Sequence, residues 1–286
     1  MTFSIVAWDR NARPSPEWGV AVASKFLGVG AVVPWARAGA GAVATQALAN
    51  VGYGPGGLNL LSSGPSADTV VAQLTDEDEG RQHRQLGVVD ARGGSASFTG
   101  EECFAWAGGR TGEGFCCQGN ILAGPEVVDR MTETFGSTEG ELAARLLAAL
   151  AAGDAAGGDR RGRQSAALLV VRADGGYGGG NDIALDLRVD DHAQPVGELA
   201  RLFDLHKLYF PRPDDLEFVD IDDRVAETLR AALAARGYSP GSGAGYDAML
   251  RDALYAYSGT ENLEERWSDG AQIERRVLQH LTASAL

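Results

Sequence analysis

Extended and helical stretches alternate in this chain in runs, and that order restricts the available folds more than any single motif does. The opening reads as four strands, at residues 3–8, 19–25, 29–36 and 40–47, in which small and branched side chains alternate with a two-residue period. The break Tyr53-Gly54-Pro55-Gly56-Gly57 ends them; a short helix starts at 58–61, and a second, capped by Ser66, runs to about residue 74. Residues 86–89 and 95–99 form a hairpin, and extended pieces recur at 104–106 and 115–121. Helices at 124–135 and 139–152 come next. The apolar strand 164–172 then pairs with 183–189 across a glycine-rich turn, and a helix over 196–209 stops at Pro211 and Pro213. Runs of strands separated by pairs of helices predict an α+β protein, a four-layer α/β/β/α sandwich of two antiparallel sheets covered by helices. A doubly wound parallel sheet would alternate strand and helix one at a time.

Beyond the prolines the pattern changes. Three amphipathic helices are expected at 222–236, 246–257 and 270–281, with Gly237 and Gly259 as C-terminal stops. The expected division is a sandwich domain over 2–211 and a small helical module over 214–286. At about seventy residues the latter is near the size where a core is only just sufficient.

The net charge of −14 argues against a nucleic-acid partner, which needs a clustered basic surface. No run of eighteen or more apolar residues suggests a membrane span, and the start lacks the charged and apolar regions of a signal peptide. Cys103, Cys116 and Cys117 are an odd set without metal spacing, so a reduced, cytoplasmic protein is expected. His192 beside Asp190 and Asp191 is too little for a metal centre, since neighbours on a strand face opposite ways. Gly39-x-Gly41-x-x-Ala44 matches a dinucleotide fingerprint only formally, having neither the following helix nor the acidic partner. No metal or cofactor is expected.

The start of the first strand holds the chemistry. Thr2 follows Met1, and a small second residue makes Met1 a substrate for routine removal. Thr2 would then carry a hydroxyl nucleophile and a free α-amine, whose unperturbed pKa of roughly 7.7–8.0 suits a general base. A Met-Thr start is also common without any such consequence.

Several stretches together carry a resemblance. Thr-Phe-Ser-Ile-Val-Ala at 2–7, Gly-Val-Ala-Val-Ala-Ser-Lys-Phe at 19–26, Val-Val-Pro-Trp-Ala-Arg-Ala-Gly at 32–39 and Ala-Thr-Gln-Ala-Leu-Ala-Asn at 44–50 form its first half. Gln-Gly-Asn-Ile-Leu-Ala at 118–123, the Gly-Gly-Asp-Arg-Arg-Gly-Arg-Gln-Ser stretch from 157 and Asp-Leu-Arg-Val-Asp-Asp-His at 186–192 complete it. Over residues 2–210 the chain resembles the domain of unknown function 1028 family, assigned to the N-terminal-nucleophile (Ntn) hydrolase-like superfamily. The resemblance implies the same sandwich, with Thr2 at the end of the first strand in a cleft between sheets. The tail is similar to a module assigned to peptidoglycan binding that is often appended to this family; an acidic helical tail can equally be a packing or dimer element.

The resemblance also suggests partners for Thr2. Proteasome-type relatives place a lysine near the nucleophile, where like-charge repulsion lowers the amine's pKa. Lys25 is a chemical substitute for it rather than a matched position, and reads equally as a solvent-facing strand end; Arg37 is a second cation with the same ambiguity. Asp159 sits where those relatives carry an Asp-x-x-Ser-Gly loop that supports the amine, or is a turn aspartate paired with Arg161. The amides of Gln46, Asn50 and Asn120 could form an oxyanion hole or hold a substrate amide. The expected function is an Ntn amidohydrolase cleaving an amide bond in a small molecule or short peptide through Thr2. Its rival is a non-catalytic protein that binds a ligand, such as a cell-wall fragment, on the same scaffold. Homo-oligomerisation is compatible with either.

Overall fold

The computed structural model describes residues 2–212 and 215–283. Met1, whose removal would free Thr2, and Pro213, expected as a helix stop, lie outside the described residues. The chain divides into two compact units, Met1–Arg201 and Leu202–Leu286.

In the first unit, β1 (Thr2–Asp9) and β2 (Glu17–Ser24) form the central hairpin, β3 (Pro34–Arg37) and β4 (Gly41–Ala47) a second one. Helices α1 (Tyr53–Leu61) and α2 (Ala67–Asp76) precede β5 (Arg84–Asp90), β6 (Ser95–Thr99), β7 (Gly108–Gly112) and β8 (Phe115–Asn120). Then come α3 (Glu126–Ser137), α4 (Leu142–Ala155), β9 (Ser165–Val171), β10 (Ile183–Val189) and α5 (Pro195–Tyr209), within which the division between the units falls. Two antiparallel sheets result, one of six strands in the order β10-β9-β2-β1-β8-β7 and one of four in the order β3-β4-β5-β6.

The sheets share a core. Val6, Val20 and Val22 of the six-stranded sheet pack in one buried cluster with Ala42, Ala44 and Val89 of the other. Each such valine contributes about 1.5–3 kcal/mol on burial. Helices α1 and α2 cover the four-stranded sheet through Leu58, Leu61 and Val70 against Val43, Leu86 and Val88. Helices α3 and α4 pack on each other, and α4 packs on β1 and β2.

Three local expectations need correction. The third strand is shorter than 29–36: Gly28 turns the chain at φ 64°, Val29–Ala31 form a 3-10 turn, and pairing begins only at Pro34. Helix α1 starts at Tyr53 and includes the stretch expected as a break, because Pro55 falls in the first turn, where a missing N–H costs nothing. Gly54 is needed there, since a Cβ would lie 2.3 Å from the Trp35 ring. Residues 104–106 form no strand, with bends at Ala105 and Trp106; the edge strand is the glycine-rich β7, whose composition carries little strand propensity.

The second unit holds the three expected helices, α6 (Asp223–Ala235), α7 (Ala248–Thr260) and α8 (Arg275–Thr282), around Leu229, Leu233, Leu254, Tyr257 and Leu281, but the last begins at Arg275 and not at residue 270. It also has a short antiparallel ribbon, Phe218–Asp220 against Gln272–Glu274, too brief to show in a periodicity. Helix α7 runs through Gly259 to Thr260, and Asn262, just beyond it, takes the left-handed conformation at φ 56°. No helix among the described residues is long and apolar enough to cross a membrane.

Candidate functional site

Thr2 is the first residue of β1, paired with Asn120 of β8, and β2 flanks it on the other side. Its hydroxyl lies 3.1 Å from the Ser24 hydroxyl at the end of β2. The loop carrying Asp159 crosses this end of the sheet. Asp159 forms an isolated bridge with Leu122, just past β8, and its carboxylate accepts the Lys25 N–H at 2.7 Å, just past β2. The loop therefore spans the strand that Thr2 begins.

Asp159 is buried and fully engaged. Besides Lys25 it accepts the Arg161 N–H at 2.9 Å and the Arg161 guanidinium at 3.3 Å. Lys25 meets this site through its backbone alone; the residue is exposed and its side chain does not line the cavity described next. Arg161 and Arg84 are cations that do.

Thr2, Gln46, Asn120 and Arg161 share the wall of a cavity of about 660 Å³, in the range of small-molecule sites. Most of the remaining wall is apolar, and Phe26, Leu48, Val51 and Phe104 stand exposed around it. Ala47 and Ile121, also on the wall, have φ of 73° and 49°. For a β-branched residue this is strained backbone, and such strain gathers at functional sites.

Beneath Thr2 a buried amide network joins the sheets. Gln46 Nε2 donates to Gln85 Oε1 at 2.7 Å and to the Thr2 carbonyl at 3.3 Å, while its Oε1 accepts the Ser4 hydroxyl at 2.7 Å. Asn120 Nδ2 donates to the same Gln85 oxygen at 3.0 Å, and Gln118 Nε2 donates to Ser4 at 2.7 Å. Gly87 makes room for this, as a Cβ there would lie 2.3 Å from Gln118 Oε1. That oxygen is buried without a partner among the described residues, an uncommon and costly state.

The other two candidates lie apart. The Arg37 guanidinium donates to the Leu58 carbonyl and Asn59 on α1 and to Ser62 at its C-terminal cap. Asn50 donates to Asp78, which also accepts Tyr53 and Arg84. Neither lines the cavity. Ser4, Gln85 and Gln118 escaped the sequence reading, although each is a polar residue at an inward position of an otherwise apolar strand. Cys103 is also on the wall, but burial pushes its thiol up, away from the reactive thiolate, and its sulfur donates to the Arg84 carbonyl. No cluster of three or more potential metal ligands occurs among the described residues.

Comparison with known proteins places this geometry in a family. Residues 209–281 match the model described as "Putative peptidoglycan binding domain". No curated protein matches the chain. Among solved structures, the chain is similar to protein SPO2555 from Silicibacter pomeroyi, with 34% identity, a TM-score of 0.65, and coverage of 72% of this chain and 86% of that one. That protein is assigned to the same family as the model that matches residues 2–199 here, and the chain belongs to that family, the family of unknown function DUF1028.

Proposed function

We propose that the first unit is an Ntn-type amidohydrolase with Thr2 as nucleophile, acting on a small-molecule or short-peptide amide. The observation that carries the reading is the position of Thr2 at the start of a central strand, on the wall of the 660 Å³ cavity and under the Asp159 loop. Two facing antiparallel sheets with helices packed on each support the four-layer Ntn sandwich as the scaffold over 2–211. Once Met1 is removed, the α-amine takes the proton of the Thr2 hydroxyl as its oxygen attacks the substrate carbonyl. It then returns that proton to the leaving amine, and water hydrolyses the ester left on Thr2. Asn120 is the wall amide placed to bind the substrate's amide group. Arg161 takes the role first assigned to Lys25, a cation that keeps the amine neutral. Gln46 holds the Thr2 backbone from below, and Asp159 fixes Arg161 and the strand ends; Arg37 and Asn50 support α1 and its approach. Three free thiols are compatible with a reduced, cytoplasmic setting.

The test is the intact mass of untagged protein before and after an α′,β′-epoxyketone, whose capture needs both hydroxyl and amine. Loss of one methionine and a single adduct that disappears in Thr2→Ala is the expected result. Retention of Met1 without an adduct would end the nucleophile reading.

A second reading has its own support. The match of residues 209–281 to a peptidoglycan-binding family favours a role in which the second unit, the module over 214–286, recognises cell-wall fragments. Under it the protein binds ligand without chemistry, and sedimentation with insoluble peptidoglycan tests it directly.

A further inference from the structure

The ligand class of the Thr2 cavity can be narrowed, on the reading that an amide reacts there. The ionisable side chains Arg161, Arg84, His83 and Glu102 on its wall are each paired within the protein itself. Arg161 pairs with Asp159 at 3.3 Å, Arg84 with Asp78 at 3.0 Å and His83 with Glu102 at 2.9 Å. A charged ligand would lose hydration on entering and meet countercharges already engaged. Among the uncharged side chains of the wall, the polar groups open to a ligand are the Thr2 hydroxyl, which touches Ser24, and the Asn120 side-chain carbonyl, which accepts no hydrogen bond from the described residues. Phe26, Val29, Val33, Leu48, Val51 and Phe104 supply an apolar surface beside them.

We infer that the cavity takes an uncharged small-molecule amide whose larger substituent is aliphatic or aromatic. The amide lies at Thr2 and Asn120, and the substituent covers the apolar wall. A cell-wall fragment, rich in hydroxyls and carboxylates, does not suit this surface. Any affinity for such fragments belongs to residues 209–281, so the two parts of the chain recognise different chemistry.

The experiment is calorimetric titration of the full chain carrying Thr2→Ala, which blocks turnover. Hexananilide is compared with two charged analogues, 4-(hexanoylamino)benzoate and 6-aminohexananilide. Hexananilide is expected to bind at least about tenfold tighter than either. Phe104→Ser, on an exposed residue of the wall, is expected to weaken it at least about threefold. Absence of hexananilide binding, charged analogues that bind as tightly, or indifference to Phe104→Ser would each overturn the inference. Because binding here requires no reaction, a wild-type protein that binds hexananilide but gives no epoxyketone adduct would sink the catalytic reading alone.

Discussion

The carboxylate of Asp159 accepts the backbone N–H of Lys25 at 2.7 Å, joining residues 134 apart in sequence across the end of β1. One oxygen thereby fixes where β2 stops, and the same side chain holds Arg161 on the cavity wall. Asp159→Ala leaves the Lys25 N–H without its acceptor. The expected loss is about 1–3 kcal/mol, with the half-exposed Arg161 pair adding little. Urea unfolding measures it. If the loop positions Thr2, epoxyketone labelling falls further than the loss of folded protein explains; labelling that tracks stability alone would make Asp159 purely structural.

The amide network should be strongly coupled. Gln46→Ala deprives Ser4 of its acceptor and Gln85 of a donor, and Gln85→Ala does the reverse while also freeing Asn120. Each substitution is expected to cost about 1–3 kcal/mol, and a double-mutant cycle to return a coupling energy of about 0.5–3 kcal/mol. Additive losses would mean the two amides act independently despite their 2.7 Å contact.

How far the sequence foretold this site depended on the kind of signal. Strands β1, β2, β4 and β9 carry alternating or continuous apolar runs and stand close to where periodicity puts them. Strand β7 does not, because Gly-Gly-Arg-Thr-Gly pairs through backbone and offers no pattern. Thr2, Gln46 and Asn120 meet on one cavity because strand ends converge there. Lys25 shows the limit: a residue at a strand's end can be placed along the chain, but not the direction its side chain takes. Ser4, Gln85 and Gln118 were legible in principle, as polar interruptions of buried faces, but only pairing across two sheets shows that they satisfy one another.

Acid should expose the role of Asp78. Burial alone would raise its carboxyl, but hydrogen bonds from Arg84, Asn50, Tyr53 and the Gly80 N–H outweigh it and hold the group well below its ordinary 3.8. A depressed folded value means the stabilisation is fully present above the unfolded pKa and is lost as pH falls from about 4 toward the folded value. Asp78→Asn is expected to lower stability at pH 7 and to flatten the decline below pH 4. Denaturation curves between pH 2 and 7 test this. An unchanged slope below pH 4 would show that other carboxylates govern the acid limb.

The second unit has a charged pair at its centre. Arg266 and Glu274, each 1% exposed, meet at 2.8 Å; Arg266 also donates to the Leu208 and Lys207 carbonyls, and Glu274 accepts the Arg276 and Val277 N–H groups at the start of α8. Arg266→Ala strands a buried carboxylate and two carbonyls, for an expected loss of about 3–5 kcal/mol. In calorimetry this should appear as an early transition of the second unit, with the first unit's transition kept. A single transition shifted as a whole would mean that the units unfold together.

Arg161 offers the sharpest test of the proposed base. A free Thr2 amine titrates at roughly 7.7–8.0 when unperturbed, and only its neutral form can accept the hydroxyl proton. A guanidinium nearby disfavours the ammonium and lowers the amine's pKa, so labelling should rise with pH and reach half its maximum below that range. Arg161→Gln removes the charge and should move the midpoint upward. Because Arg161 is about 45% exposed, solvent screens it, and the shift is expected to be under about one pH unit. Lys25→Gln provides the control, since that side chain lies off the cavity and its substitution should leave the midpoint in place. A midpoint that followed Lys25 instead of Arg161 would return the cation's role to the lysine and remove the reason for placing Arg161 beside the amine.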